Sequence, residues 1–188
     1  MTAVGLPVFQ PWKLVTNDVV DEALPVATTS SVPRTAATPG TPSATPSSGP
    51  ATASGSPATS AAQVDAAASP PAPVERARGS FISHEHSTSG SVRLLTLADG
   101  STVVRIEGLD TSNGPDLHVW ITDRPVVDGP SGWTVFDDGA YLDLGALKGN
   151  KGNQNYVVPA GTDLAAYRSV TIWCARFRVS FGAAELTA

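Results

Sequence analysis

The single cysteine of the 188-residue chain, Cys174, lies in the segment 170–177, VTIWCARF. Three histidines, His84, His86 and His118, are the other side chains able to ligate or carry a proton near neutrality. A thiol with no partner in its own chain is either a small packing residue or a reactive group, and reactivity belongs to the thiolate. If 170–182 runs as one strand, Cys174 shares a face with Val170, Ile172, Arg176 and Arg178, because side chains alternate. Arg176 is then the i+2 neighbour of the sulfur, and a guanidinium there favours the thiolate. That makes Cys174 the redox or ligand candidate and Arg176 the thiolate-stabilising one. The competing reading is an inert buried cysteine.

The same parity puts His84 and His86 of SHEHS on one face of an extended segment, within reach of one ion. His118 falls on the polar face of DLHVWITD, together with Trp120. Two histidines and a cysteine suit a blue-copper-like site, yet the one methionine is Met1, far along the chain from Cys174. There is no C-x-x-C-H haem attachment signal. Haem or copper is therefore compatible with the sequence and required by nothing in it. The plainer role for a histidine such as His86 is a hydrogen bond to its turn. No Ser-His-Asp or paired-carboxylate arrangement is defined by spacing.

Two loops stand out, TSNGPD and LKGNKGNQNY. Gly114, Gly149 and Gly152 are expected to supply positive φ, and Asn113, Asn150, Asn153 and Asp116 to hydrogen-bond turns, with Pro115 fixing the first loop. Loop shaping is favoured over a ligand-facing rim. GNKGNQN lacks the phosphate-loop spacing and precedes a strand.

The elements that carry these residues read as strands from Gly79 onward, with period two and frequent turn signals. SVRLLTLA and STVVRIEGL flank Asp99-Gly100, a hairpin signal that predicts a type I′ turn. NYVVP is a further short strand, and AGTDLAAYRS predicts one helical turn capped by Thr162 or Asp163. No segment sustains a 3.6-residue period. The fold class is all-β, an antiparallel β-sandwich or flattened barrel of about seven to nine strands, read as a monomer.

Ahead of it, 42 of the 49 residues from 26 to 74 are Ala, Pro, Ser, Thr or Gly, a composition that cannot offset its chain entropy. The chain therefore divides into a segment 1–25, a disordered linker 26–78 and a β domain 79–188. The linker reads as a spacer, and Ser/Thr-Pro tracts are suited to O-linked sugar. The apolar start followed by Trp12 and Lys13 looks like the end of a membrane helix, which predicts an N-terminal anchor not complete in this chain. Net charge is −5 with no basic stripe, which argues against nucleic-acid binding.

The strings GSFISHEHSTSG, TSNGPDLHVWITD and YLDLGALKGNKGNQNYVVPAGTDLAAYRSVTIWCARFRVSFGAAEL resemble, in order and spacing, the electron-transfer domain family called DM-thirteen. The resemblance covers roughly 79–187, and FQPWKL with VDEALP resembles the juxtamembrane stretch of actinobacterial members. It implies an electron-transfer module at the cell surface with an unidentified redox partner. In animals the family accompanies haem-binding sandwich domains and membrane cytochromes. Its cysteine, suggested to act as a bare thiol or to hold a group such as haem, corresponds to Cys174, and its usual histidine to His86. A non-catalytic binding or structural module with a packing cysteine is the alternative.

Overall fold

The computed structural model describes residues 16–25 and 71–188. The expected anchor remnant before Thr16 and most of the expected linker, 26–70, lie outside the described residues. Two five-stranded sheets face each other. The first holds β1 (Val19–Asp21), β8 (Lys151–Val158), β5 (Thr102–Asp110), β4 (Ser89–Thr96) and β2 (Val74–Ser80), in that order. The second holds β3 (Ile82–Ser83), β10 (Val179–Glu185), β9 (Ser169–Cys174), β6 (Leu117–Thr122) and β7 (Tyr141–Ala146). The all-β sandwich is as expected, and the short edge strands β1 and β3 complete it.

Alternation fills the space between the sheets. Val92, Leu94, Val104 and Ile106 from the first meet Val119, Ile121, Val170, Ile172 and Phe181 from the second. A second small core lies on the outer face of the second sheet. There the excursion 123–140, with 3₁₀ turns at Pro130–Gly132 and Val135–Asp137, seats Phe136 against Trp120, Trp173 and Ala183. Coverage on both faces is why every residue of β9 is buried.

Segment 170–182 is not one strand. It turns between Cys174 and Val179, with Arg178 in the left-handed region at φ 53°. Val179 pairs with Cys174 and Ser180 with Trp173, so Val179 and Phe181 face the inter-sheet core while Trp173 faces away from it. The expected single strand 170–182 is thereby corrected, and with it the shared face of Cys174, Arg176 and Arg178. The Asp99-Gly100 hairpin forms, but only Gly100 takes positive φ, at 83°. Asp99 instead accepts hydrogen bonds from the Ser101 N–H and hydroxyl. The turn at Leu164–Ala166 is capped by Asp163, which accepts from the Ala165 N–H at 3.1 Å.

Residues 16–25 belong to the sandwich. β1 runs parallel to β8, Val20 opposite Gly152. The LKGNKGNQNY loop is the strip that holds it. Asn150, 1 % exposed, accepts from the Asp18 N–H at 2.7 Å and donates to Asn17 Oδ1 at 3.0 Å. Asn153 donates to Asp21 at 2.7 Å, Lys148 to Glu22 at 2.7 Å, and Arg105 to the Glu22 carbonyl at 2.6 Å. Of the three glycines expected at positive φ, only Gly152 has it, at 98°. A Cβ on Gly149 would overlap the Asp18 carbonyl, and one on Gly152 the Val20 carbonyl. A Cβ on Gly114 would sit 2.9 Å from Leu117 and 3.0 Å from Phe181. Close approach, rather than handedness, accounts for Gly114 and Gly149. Residues 16–25 and 71–188 therefore belong to one compact unit.

Candidate functional site

Cys174 ends β9 with 0 % exposure, in the same core as Leu117, Val179 and Phe181. Leu117 is its cross-strand partner on β6 and Val179 on β10. The chain turns immediately after the sulfur, which lies near the backbone of this turn at Arg176 and Phe177 and of the β6 start at Asp116. Burial pushes the thiol above its usual range, and the charge of Asp116 adds to that; the backbone opposes the rise without cancelling it. The resting sulfur at neutral pH is a thiol. Neither of the two open grooves, both along β2, is lined by Cys174.

Arg176 stands in the exposed turn and not on a strand face beside Cys174, so the i+2 argument for its guanidinium does not hold. Its backbone is the part that lies near the sulfur.

The histidines are not brought together. The segment 84–86 bends instead of extending, so the parity expected for His84 and His86 is lost. His84 is buried under the excursion, stacked on Phe136 at 5.7 Å, with Nδ1 2.8 Å from Ser180 Oγ. His86 lies over Phe181 at 3.8 Å, in the other core, and pairs with Glu85. Thr88 anchors this bend, donating to the Phe181 carbonyl at 2.9 Å.

His118 sits between two carboxylates, Nε2 3.2 Å from Asp116 and Nδ1 2.8 Å from Asp143. Burial opposes its protonation, but Asp143 and then Asp116 outweigh it and hold the imidazole above its ordinary value. A raised folded value means that this stabilisation is complete below the unfolded pKa of about 6.5 and is lost as pH rises through the folded value. His84 acts oppositely. Desolvation lowers its value, so its contribution is present above about 6.5 and lost as pH falls through the folded value. Melting temperature is accordingly expected to decline on both sides of about pH 6.5. His118→Gln should remove the alkaline decline, worth up to about 1 kcal/mol, and leave the acid one. Identical pH profiles for the two proteins would contradict the assignment.

A copper or haem site does not fit these residues. Among the described residues no group of three His, Cys, Asp or Glu side chains converges on a point where an ion could sit. The sulfur is enclosed by core side chains, with the carboxylate-bound His118 on the opposite face of β6 from Leu117.

Asn113 and Asp116 serve the frame of the site. Asn113 donates to the Thr16 carbonyl, tying the first loop to the N-terminal segment. Asp116 links both sides of β6, since its backbone lies near Cys174, its carbonyl accepts from Ala175 at 2.9 Å and its carboxylate meets His118.

The strings that placed Cys174 and His118 also placed an aromatic row that sequence reading missed. Tyr141 stacks on Trp120 at 4.0 Å and 8°, and Trp120 on Trp173 at 5.0 Å and 27°. The available signal was Trp120 on a face read as polar. Its cover, Phe136, comes from a segment with no period to read.

A family profile described as Electron transfer DM13 matches residues 80–186, more than half of the chain. The chain belongs to the DM13 electron-transfer family. The matched span runs from the end of β2 to just past β10 and contains the cysteine, all three histidines and the aromatic row. The domain is thus an electron-transfer-related module, as the resemblance implied. Comparisons with curated proteins and with solved structures found no match.

Proposed function

We propose that this DM13 domain is a cell-surface electron-transfer module in which Cys174 works as a buried one-electron centre with a protonated resting state. The observation that carries this is a sulfur with no exposed surface at the end of β9, where the chain turns and the backbone of Phe177, Arg176 and Asp116 opposes the effect of burial. Fixed backbone dipoles favour electron-rich sulfur at no reorganisation cost. A thiyl formed there is a strong acceptor and is quickly re-reduced.

In the step itself the Cys174 thiol gives one electron to an oxidised partner centre of the high-potential metal class. Its proton leaves toward Asp116, whose charge is felt at the sulfur and whose side chain reaches water. A one-electron donor and the returning proton restore the thiol. Burial excludes nucleophilic and disulfide chemistry that would consume it.

The surface location rests on the N-terminal stretch, with its membrane-interface residues Trp12 and Lys13, and on the Ala/Pro/Ser/Thr-rich composition of 26–74. Because residues 16–25 are docked on β8, an interface at Trp12 and Lys13 holds the domain within roughly 10 Å of the membrane surface.

A second reading, a binding or structural module with a packing cysteine, is favoured by the enclosure of Cys174 among aliphatic and aromatic side chains. Film voltammetry of the native chain against Cys174→Ala separates the two. The first reading requires a proton-coupled wave that the variant lacks.

A further inference from the structure

Two of the four tryptophans and one tyrosine stand in one stack that begins at the surface and ends beside the cysteine. Tyr141 is 46 % exposed, Trp120 6 % and Trp173 1 %. Their rings overlap nearly face to face, at 4.0 Å and then 5.0 Å between centroids. Packing alone favours offset or edge-on aromatic pairs as readily, and the neighbouring Phe136–Trp173 contact is edge-on, at 78°. Trp173 is covalently adjacent to Cys174, and the sheet places it on the opposite face of β9.

A second observation bears on charge movement. The Trp120 Nε1 is buried without a hydrogen-bond partner. An indole that has lost an electron there has no acceptor for its proton and stays a cation radical, a strong oxidant. The Tyr141 ring, by contrast, reaches water, to which its phenol can give up a proton.

We propose that Trp173, Trp120 and Tyr141 form a one-electron relay that moves an oxidising equivalent from the interior beside Cys174 out to Tyr141. The relay rests on the electron-transfer reading of the domain and adds a path that does not pass through the sulfur. A high-potential one-electron oxidant of the ferryl-haem or peroxyl-radical class removes one electron at the interior end and is itself reduced by one. Trp173 is refilled from Trp120, and Trp120 from Tyr141, whose phenolic proton passes to water. The Tyr141 phenoxyl then takes an electron and a proton from a hydrogen-atom donor of the hydroquinone or ascorbate class. One electron has moved from that donor to the oxidant, and the side chains are unchanged. Trp120 is the step that cannot be skipped, because it alone touches both other rings.

The test uses the full chain carrying Trp12→Phe and Trp133→Phe, so that its indoles are Trp120 and Trp173. A photogenerated tris-bipyridine ruthenium(III) complex supplies the oxidising equivalent, and transient absorption follows indole and phenoxyl radicals separately. The expected result is an indole radical that decays as the phenoxyl signal grows. In the Tyr141→Phe chain, which keeps the stacked ring, the indole radical should persist at least tenfold longer with no matching phenoxyl growth. Trp120→Phe should leave the Trp173 radical equally isolated, with near-ultraviolet dichroism confirming that the fold is kept. Unchanged indole decay in Tyr141→Phe, or unchanged transfer in Trp120→Phe, would overturn the relay. Cys174→Ala should leave the indole-to-phenoxyl transfer intact while removing the voltammetric wave. Loss of one signal without the other therefore tells failure of the relay from failure of the cysteine reading.

Discussion

Gly152→Ala is expected to lift residues 16–25 off the first sheet. The added Cβ overlaps the Val20 carbonyl, and the position takes φ 98°, which an L side chain resists by about 1–2 kcal/mol. The obstacle is backbone on both sides, so no rotamer change relieves it. β1 is only three residues long and is held by a short parallel ladder on β8 and by the side chains of Asn150, Asn153 and Lys148. Such an element has little reserve, and its local opening is close in free energy to its closed state. Amide exchange of residues 19–22 should accelerate at least about 30-fold, equivalent to about 2 kcal/mol. Protection in β9 should remain, because it lies in the other sheet. Native protection of residues 19–22 in the variant would show that this strand docks by other means.

Gln154→Ala should cost the folded state about 3–5 kcal/mol. The side chain is 0 % exposed and closes the β7–β8 connection upon itself. Its Oε1 accepts from the Lys148 N–H at 3.1 Å, the Gly149 N–H at 3.3 Å and the Tyr156 hydroxyl at 2.7 Å, and its Nε2 donates to the Gly149 carbonyl at 2.6 Å. Alanine removes the partner of these groups and leaves a void where no apolar neighbour can replace the amide. Tyr156 is already burdened, its phenol pushed up to about 12 by burial. A lower urea midpoint with an unchanged slope is the expected reading. A loss below about 1 kcal/mol would mean that the loop relaxes onto water. Both substitutions act on the same strip, so together they should not add.

The strip also shows where the sequence was legible and where it was not. Alternation in SVRLLTLA, STVVRIEGL and DLHVWITD was enough to place β4, β5 and β6 and to put Val119 and Ile121 in the core, because burial of one face imposes a period of two. The glycines and asparagines of LKGNKGNQNY were visible as a special stretch. Their purpose was not, since it depends on a strand more than 120 residues earlier that has no pattern of its own.

Near Cys174 the misreading had a definite cause. CARFRV continues the alternation of VTIW well enough to pass for a strand, and nothing in it signals a turn: the left-handed position is Arg178 rather than a glycine or asparagine. Once the chain turns at Ala175, Arg176 no longer flanks the sulfur from a strand face, and the backbone takes the place assigned to its guanidinium. The aromatic row was hidden for a related reason. Trp120 and Tyr141 meet only through the β6–β7 register, and Phe136 reaches them from an excursion without periodicity.

Cys174 is proposed as a redox centre although it is buried. Film voltammetry of the native chain and of Cys174→Ala tests it directly. The expected result is a one-electron wave in the native chain that moves to lower potential as pH rises below the thiol pKa, and its absence from the variant. Superimposable traces from the two proteins would contradict it and leave Cys174 as packing.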